Sequence, residues 1–250
     1  MTTQSEVMRG SFPRARCIVP GCMTPARILH RVWGIHGRYC ETHRRRWRVH
    51  GAPTQTSISK HDLKPLIKIA RRILERDETG KVDASLGELH TILHDYATEV
   101  AVDIERGVAV PKWTGRGARE VLRVTNEARA VDSACLVASV FLLRDRNPQM
   151  FANQRAFEFE LVRAYHKQVV TAWGRYWSEK GAMSKTVYHE LSPRCVEAIA
   201  VLLIATYAKW ASHVIRLDRQ DRQRELVAKL TLDEGFAALA TPSSQEVALR

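Results

Sequence analysis

Four residues near the N-terminus, Cys17, Cys22, Cys40 and His43, constrain the fold more than any other feature of the chain. Cys17-Ile-Val-Pro-Gly-Cys22 sets two thiols around a Pro20-Gly21 turn, which folds the backbone so that both sulfurs address one point. Cys40-Glu-Thr-His43 has the gap of one helical turn, which puts thiolate and imidazole on the same side. Two close pairs joined by a modest loop suit tetrahedral zinc, whose structural sites draw all four ligands from protein. His30, His36 and His50 are also close enough in sequence to serve as the nitrogen donor. Three of the five cysteines crowd into residues 17–40, and the odd total argues against a disulfide framework and for one structural Zn2+ in a reducing compartment. Cys135 and Cys195 lie in apolar helical stretches and read as buried, inert thiols.

Charge is segregated around this constellation. Residues 1–50 hold ten arginines, no lysine and two acids (Glu6 and Glu41), a balance of +8 out of a total of +12. Residues 51–82 add +3, so the rest of the chain is close to neutral. A basic head on a neutral body favours polyanions, nucleic acid first. The N-terminus lacks the apolar core of a secretory signal, and the longest apolar run, 198–208, is short of the ~20 residues a membrane span needs. A cytoplasmic protein with no membrane partner is the expectation.

The pattern divides the chain into a zinc finger with an Arg-rich helix (1–50), a linker (51–59), an α-helical domain (60–240) and a flexible tail (241–250). Ser59 and Asp62 bracket a helix start, and Leu63, Leu66, Ile67, Ala70, Ile73 and Leu74 form one stripe. A second helix is predicted from 83 or 85 to 106, through Leu86, Leu89, Leu93, Tyr96, Ala97, Val100 and Ile104. After a Gly/Pro interruption at 107–117, longer helices are predicted over about 117–145, 149–179 and 193–230, the last with Ser192-Pro193 as cap and first residue. The fold class is therefore mostly α: a small N-terminal finger followed by a bundle-like body of several helices.

The stretch 16–53 resembles a small zinc finger common in phage and mobile-element proteins, where it accompanies HNH nucleases and DNA-binding regulators. The likeness is carried by C-x4-C with Gly21 before the second cysteine, Gly-Arg-Tyr-Cys-Glu-Thr-His43, and the Arg-rich run ending in His-Gly-Ala-Pro53. It implies that Cys17, Cys22, Cys40 and His43 are ligands and that the Arg-rich helix contacts DNA. It covers about a sixth of the chain, and no HNH core is visible after it. Read directly, Arg38, Arg44, Arg45, Arg46 and Arg48 offer forked donors to phosphates or guanine edges. Trp47 could stack on a base, but it reads first, with Tyr39, as the finger's own miniature core.

Other motifs carry less. His90 and His94 have the i, i+4 spacing of a zinc-protease helix, but Thr91 stands where the catalytic Glu belongs. Trp113-Thr-Gly-Arg-Gly-Ala-Arg119 could be a phosphate-binding nest but lacks the Lys-Ser/Thr of a P-loop, and reads as a basic loop. The aromatic set Phe151, Phe157, Phe159, Tyr165, Trp173, Tyr176 and Trp177 is too broad for one core stripe; its excess suits a protein partner or a second copy of the chain. The expected function is nucleic-acid binding, DNA favoured over RNA, in a regulatory or recruiting accessory protein, with no catalytic residues assigned. The alternatives are a metal-dependent nuclease built from scattered carboxylates, and an adaptor whose finger staples a protein–protein contact.

Overall fold

The computed structural model describes residues 16–26, 38–169, 172–178, 181–187 and 190–240, with side chains described outside the two strands and up to Thr231. Helix α1 (Glu41–His50) belongs to the finger; α2 (Lys60–Glu75), α3 (Lys81–Glu105), α4 (Lys112–Glu127), α5 (Ala130–Arg146), α6 (Gln154–His166) and α7 (Pro193–Ala240) form the body. A hairpin, β1 (Ala172–Ser178) and β2 (Gly181–Val187), is inserted between α6 and α7. Its antiparallel register runs from Ala172 opposite Val187 to Ser178 opposite Gly181.

The mostly helical fold is as expected, and local signals account for most of it. Ser59 and Asp62 form a reciprocal capping box: Asp62 N–H donates to Ser59 Oγ (3.2 Å) and Ser59 N–H to Asp62 Oδ2 (2.8 Å). Leu63, Leu66, Ala70 and Ile73 are then buried along one face of α2. At the next turn Asp77 accepts from Val82 N–H (2.6 Å) and opens α3, which buries Leu86, Leu93, Ala97 and Val100 but leaves Tyr96, expected on the same stripe, exposed. Helix α5 is the central rod, with nine buried residues that include Cys135, Val137, Leu142 and Leu143. α2, α6 and α7 pack around it, and α3 pairs with α4.

Three helix predictions need correction. The single helix predicted over 117–145 is two helices, because Ala128 and Arg129 are extended and α5 restarts with Asp132 in its first turn. The interruption at 107–117 is shorter: α4 begins at Lys112, and Gly115 and Gly117 are helical. Their missing side chains allow close packing, since a Cβ on Gly115 would stand 2.7 Å from Ile104 Cδ1 and one on Gly117 3.3 Å from Ile199 Cγ1. The helix predicted to 179 ends at His166 and gives way to the hairpin. Trp173, Tyr176, Trp177 and Thr186 favour strand over helix and were the available signal.

Helix α7 begins at Pro193 as predicted and is longer than expected. Over 193–231 it is long and apolar enough, by length and composition, to cross a membrane, which the apolar run alone did not suggest. Within the fold, its Cys195, Ile199, Leu203, Tyr207, Trp210 and Val214 are buried as the seam against α4, α5 and α6. Arg146 pairs with Asp218, 4% exposed, and locks the far end of α5 to α7.

Candidate metal centre and the basic surface beside it

The two halves of the finger meet through backbone bonds. Arg16 and Pro25 form an isolated bridge, and Cys17 N–H donates to Thr24 C=O at 3.2 Å. Cys22 N–H donates to Val19 C=O at 3.0 Å, and Gly21 takes the left-handed conformation (φ 76°) that this turn demands. Ile18 N–H reaches Arg38 C=O (3.1 Å), tying the first cysteine pair to the second. Cys40 is the N-cap of α1 and His43 lies in its first turn, so the helix carries both donors of the second pair.

The ligand atoms of Cys17, Cys22, Cys40 and His43 all lie within 4.8 Å of one another. His43 Nδ1 is 3.3 Å from both Cys17 Sγ and Cys40 Sγ, and Cys22 Sγ is 3.9 Å from Cys40 Sγ. A tetrahedral ion with sulfur at ~2.3 Å and nitrogen at ~2.0 Å sets S···S at about 3.8 Å and S···N at about 3.5 Å. The observed separations match within a few tenths of an ångström, so the four donors can hold one metal ion. Backbone and hydroxyl contacts from Thr24 draw the Cys22 thiol below its ordinary pKa, whereas burial pushes the Cys40 thiol up. Val19, Tyr39 and half-buried Trp47 complete a small apolar cluster around the sulfurs. Of the competing histidines, His50 is engaged elsewhere, and His30 and His36 lie outside the described residues.

Helix α1 is docked on the body rather than free. Trp47 lies under Arg155, whose guanidinium is 4.2 Å from the ring centroid, and Arg155 also bonds Glu197 (2.9 Å) and Gly51 C=O (3.2 Å). His50 Nδ1 is 2.5 Å from Glu160 Oε1. The predicted linker is strapped down as well. Ala52 and Gln55 are buried, and Gln55 donates to Met150 C=O (3.0 Å) and accepts from Ala152 N–H (2.9 Å).

These contacts sort the five arginines. Arg44 is forked onto Glu41 (2.9 and 3.0 Å), and Arg48 pairs with Glu190 (3.1 Å). Exposed Arg38, exposed Arg45 and half-buried Arg46 have no carboxylate partner among the described residues. Arg45 and Val49 line a cavity of about 230 Å³ with Phe159, Val162 and Val196.

Sequence reasoning missed a second cationic feature. A cleft of about 650 Å³ opens between α1 and the N-terminal ends of α4 and α7, lined by Trp47, Lys112, Trp113, Arg116, Arg155 and Arg194, with Glu197 as its carboxylate. The Trp113–Arg119 string was the visible signal, but it forms the first turns of α4, not a loop.

The weaker motifs resolve structurally. His90 Nε2 lies 2.9 Å from Thr125 C=O, and His94 faces solvent beside Asp95. Cys135 and Cys195 are buried free thiols, each pushed up to about 11 by burial. Phe151, Phe157, Phe159 and Tyr165 are core; the side chains of Trp173, Tyr176 and Trp177 lie outside the description.

Compared with protein-family models, curated proteins and solved structures, the chain matches none. The likeness of residues 16–53 to a phage finger thus rests on its own motif.

Proposed function

We propose that this protein binds nucleic acid, DNA in preference to RNA, through a basic surface built on a Cys3His zinc site. The observation that carries the reading is that Cys40 and His43 both sit at the start of α1, so a bound ion fixes the helix that bears the arginines. Three thiols and one imidazole are a donor set suited to zinc. Because the C-terminal half of α1 is docked on α6, its role is to complete a composite surface with the body rather than to enter a major groove alone. A regulatory or recruiting accessory role of phage or mobile-element type follows from the finger's resemblance.

A protein–protein staple is the second reading, favoured by the same docking of α1 and by exposed Leu226, Val227 and Leu230 on α7. A nuclease finds less support. The Cys3His group is the one cluster of metal donors among the described residues, and Asp132, Asp145, Asp218 and Asp221 are held by arginines.

The test is fluorescence anisotropy of the zinc-loaded full chain on unrelated duplexes and single strands across a salt series, repeated after chelation. Binding with a steep salt slope that is lost with the metal is expected. Salt-insensitive or absent binding overturns the reading in favour of the staple.

A further inference from the structure

The cleft beside the finger has a construction of its own. It joins two indoles to four cations with a single carboxylate, and that carboxylate, Glu197, is already held by Arg155. Lys112, Arg116 and Arg194 have no carboxylate partner among the described residues. Helix α4 starts at Lys112 without a side-chain cap and without an acid in its first turn, so its first N–H groups and the positive end of its dipole are open to an anion. Trp113, 39% exposed, is the aromatic ring at this mouth, and the Arg194 guanidinium lies over it at 4.8 Å.

The convergence is built into the packing. Gly117 presses α4 against Ile199 and Cys195 of α7, and a Cβ there would already stand 3.3 Å from Ile199. This close approach holds the start of α4, with Lys112, Trp113 and Arg116, next to Arg194 in the first turn of α7. The volume falls within the range of about 300–1,000 Å³ typical of ligand sites.

We propose that this cleft is a subsite for one unpaired nucleotide of a single strand. Its base stacks on Trp113 in the place Arg194 now covers, and its phosphate meets Lys112, Arg116, Arg194 and the open end of α4. The chemistry selects a nucleotide over a simple anion, because an exposed indole at the mouth of a cationic cleft gains from a flat π-face as well as from charge. It selects an unpaired base over a duplex, because in a duplex both faces of each base are taken by its neighbours. The proposal rests on the nucleic-acid reading above and adds to it the class of strand.

The test uses the full zinc-loaded chain and three labelled probes: a thymidine 20-mer, an abasic 20-mer with the same phosphates, and a 20-base-pair duplex. The wild type is expected to bind the thymidine strand more tightly than the abasic one. Trp113→Ala should weaken the thymidine strand ~5- to 160-fold, the range of one lost base stack, and leave the abasic strand and the duplex within about twofold. Trp113→Phe should restore most of the loss, which separates stacking from misfolding. Arg116→Ala with Arg194→Ala should weaken all single strands alike. Equal affinity of the wild type for thymidine and abasic strands, or a Trp113→Ala variant that keeps the preference, overturns the subsite. In either case duplex binding that still depends on Arg38, Arg45 and Arg46 leaves the broader reading standing. Binding to none of the three probes overturns both.

Discussion

His50, the last residue of α1, meets Glu160 in the middle of α6 with Nδ1 and Oε1 2.5 Å apart, across 110 residues of sequence. Glu160 is 2% exposed at its side chain, and its other oxygen accepts Ile58 N–H at 3.1 Å. Arg163 stands 3.5 Å from the same carboxylate. One buried acid therefore collects the finger helix, the strap that follows it and its own helix. Glu160→Ala should cost about 3 kcal/mol, the lower end for breaking a buried charge network, because Arg163 keeps partial access to water. Urea unfolding checks this, and a loss below about 1 kcal/mol would show that the junction is not made. A cycle with His50→Ala should return a coupling above about 0.5 kcal/mol.

Gly51 is the hinge of that junction. It caps α1 at φ 78°, and an added Cβ would lie 2.7 Å from Arg155 C=O oxygen and 2.9 Å from its carbonyl carbon. Gly51→Ala is both strained and obstructed, and should cost about 2–3 kcal/mol. The loss should appear as faster proteolysis within 41–59 than in the wild type. Unchanged cleavage would mean that α1 does not rest on α6.

What the sequence made legible was local. The Cys/His spacings found a quartet that the fold gathers, the Ser59–Asp62 cap placed the start of α2, and the leucine stripes of α2 and α3 named residues that are buried. What stayed hidden depends on distant partners. Nothing near Ala128 breaks a helix; after the extended Ala128 and Arg129, α5 packs against α2 and α7 while α4 pairs with α3. Arg44 and Arg48 read as free cations until Glu41 and Glu190 are seen beside them, and Glu190 is 142 residues from Arg48. The residues 51–59 look like a linker in composition, yet Gln55 satisfies two backbone groups of the body. The Trp113–Arg119 string marks only one wall of its cleft, because the other walls come from α1, α6 and α7.

Glu120 ties α4 to α6. Its carboxylate contacts His166 Nε2 at 3.1 Å and Arg123 Nε at 3.0 Å, and these partners, His166 foremost, hold its pKa down at about 2. A depressed carboxylate pKa stabilises the fold above the unfolded value of about 4.3, and that contribution fades as pH falls from there towards 2. Glu120→Gln should cost about 1–2 kcal/mol at neutral pH after allowing for solvent screening, and almost nothing at pH 2. Parallel stability curves for variant and wild type between pH 7 and 3 would remove Glu120 from the acid response.

The arginines divide into two groups by their neighbours. If Arg38, Arg45 and Arg46 each neutralise one phosphate, replacing all three with Ala should lower the salt slope of log K by roughly 2.7, at ~0.9 per contact. Arg44 and Arg48 are already paired with Glu41 and Glu190, so replacing both should lower the slope by less than about 1. Equal losses in the two variants would show that the carboxylates release their arginines on binding.

The metal itself gives the sharpest prediction. Among the described residues the finger's apolar cluster amounts to Cys17, Val19, Tyr39 and Cys40 with Cys22 and Trp47 at its edge, too little to fold unaided. Metal binding and folding of this segment should then be one event, worth on the order of 10–16 kcal/mol at neutral pH. Elemental analysis should find one zinc per chain, and X-ray absorption three sulfurs and one nitrogen. Cys22→Ser should release the ion and expose residues 16–40 to protease. It should also lower the melting temperature of the body by several degrees, because α1 brings Trp47 and His50 to α6. His43→Ala isolates the nitrogen donor: His50 is held by Glu160, so among the described histidines no substitute stands ready. Full zinc with unchanged coordination in that variant would assign the fourth position to another residue. Metal-free wild type, purified without chelator, would leave the cysteines as plain thiols and α1 held only by its contacts with the body, Glu160, Arg155 and Glu190 among them.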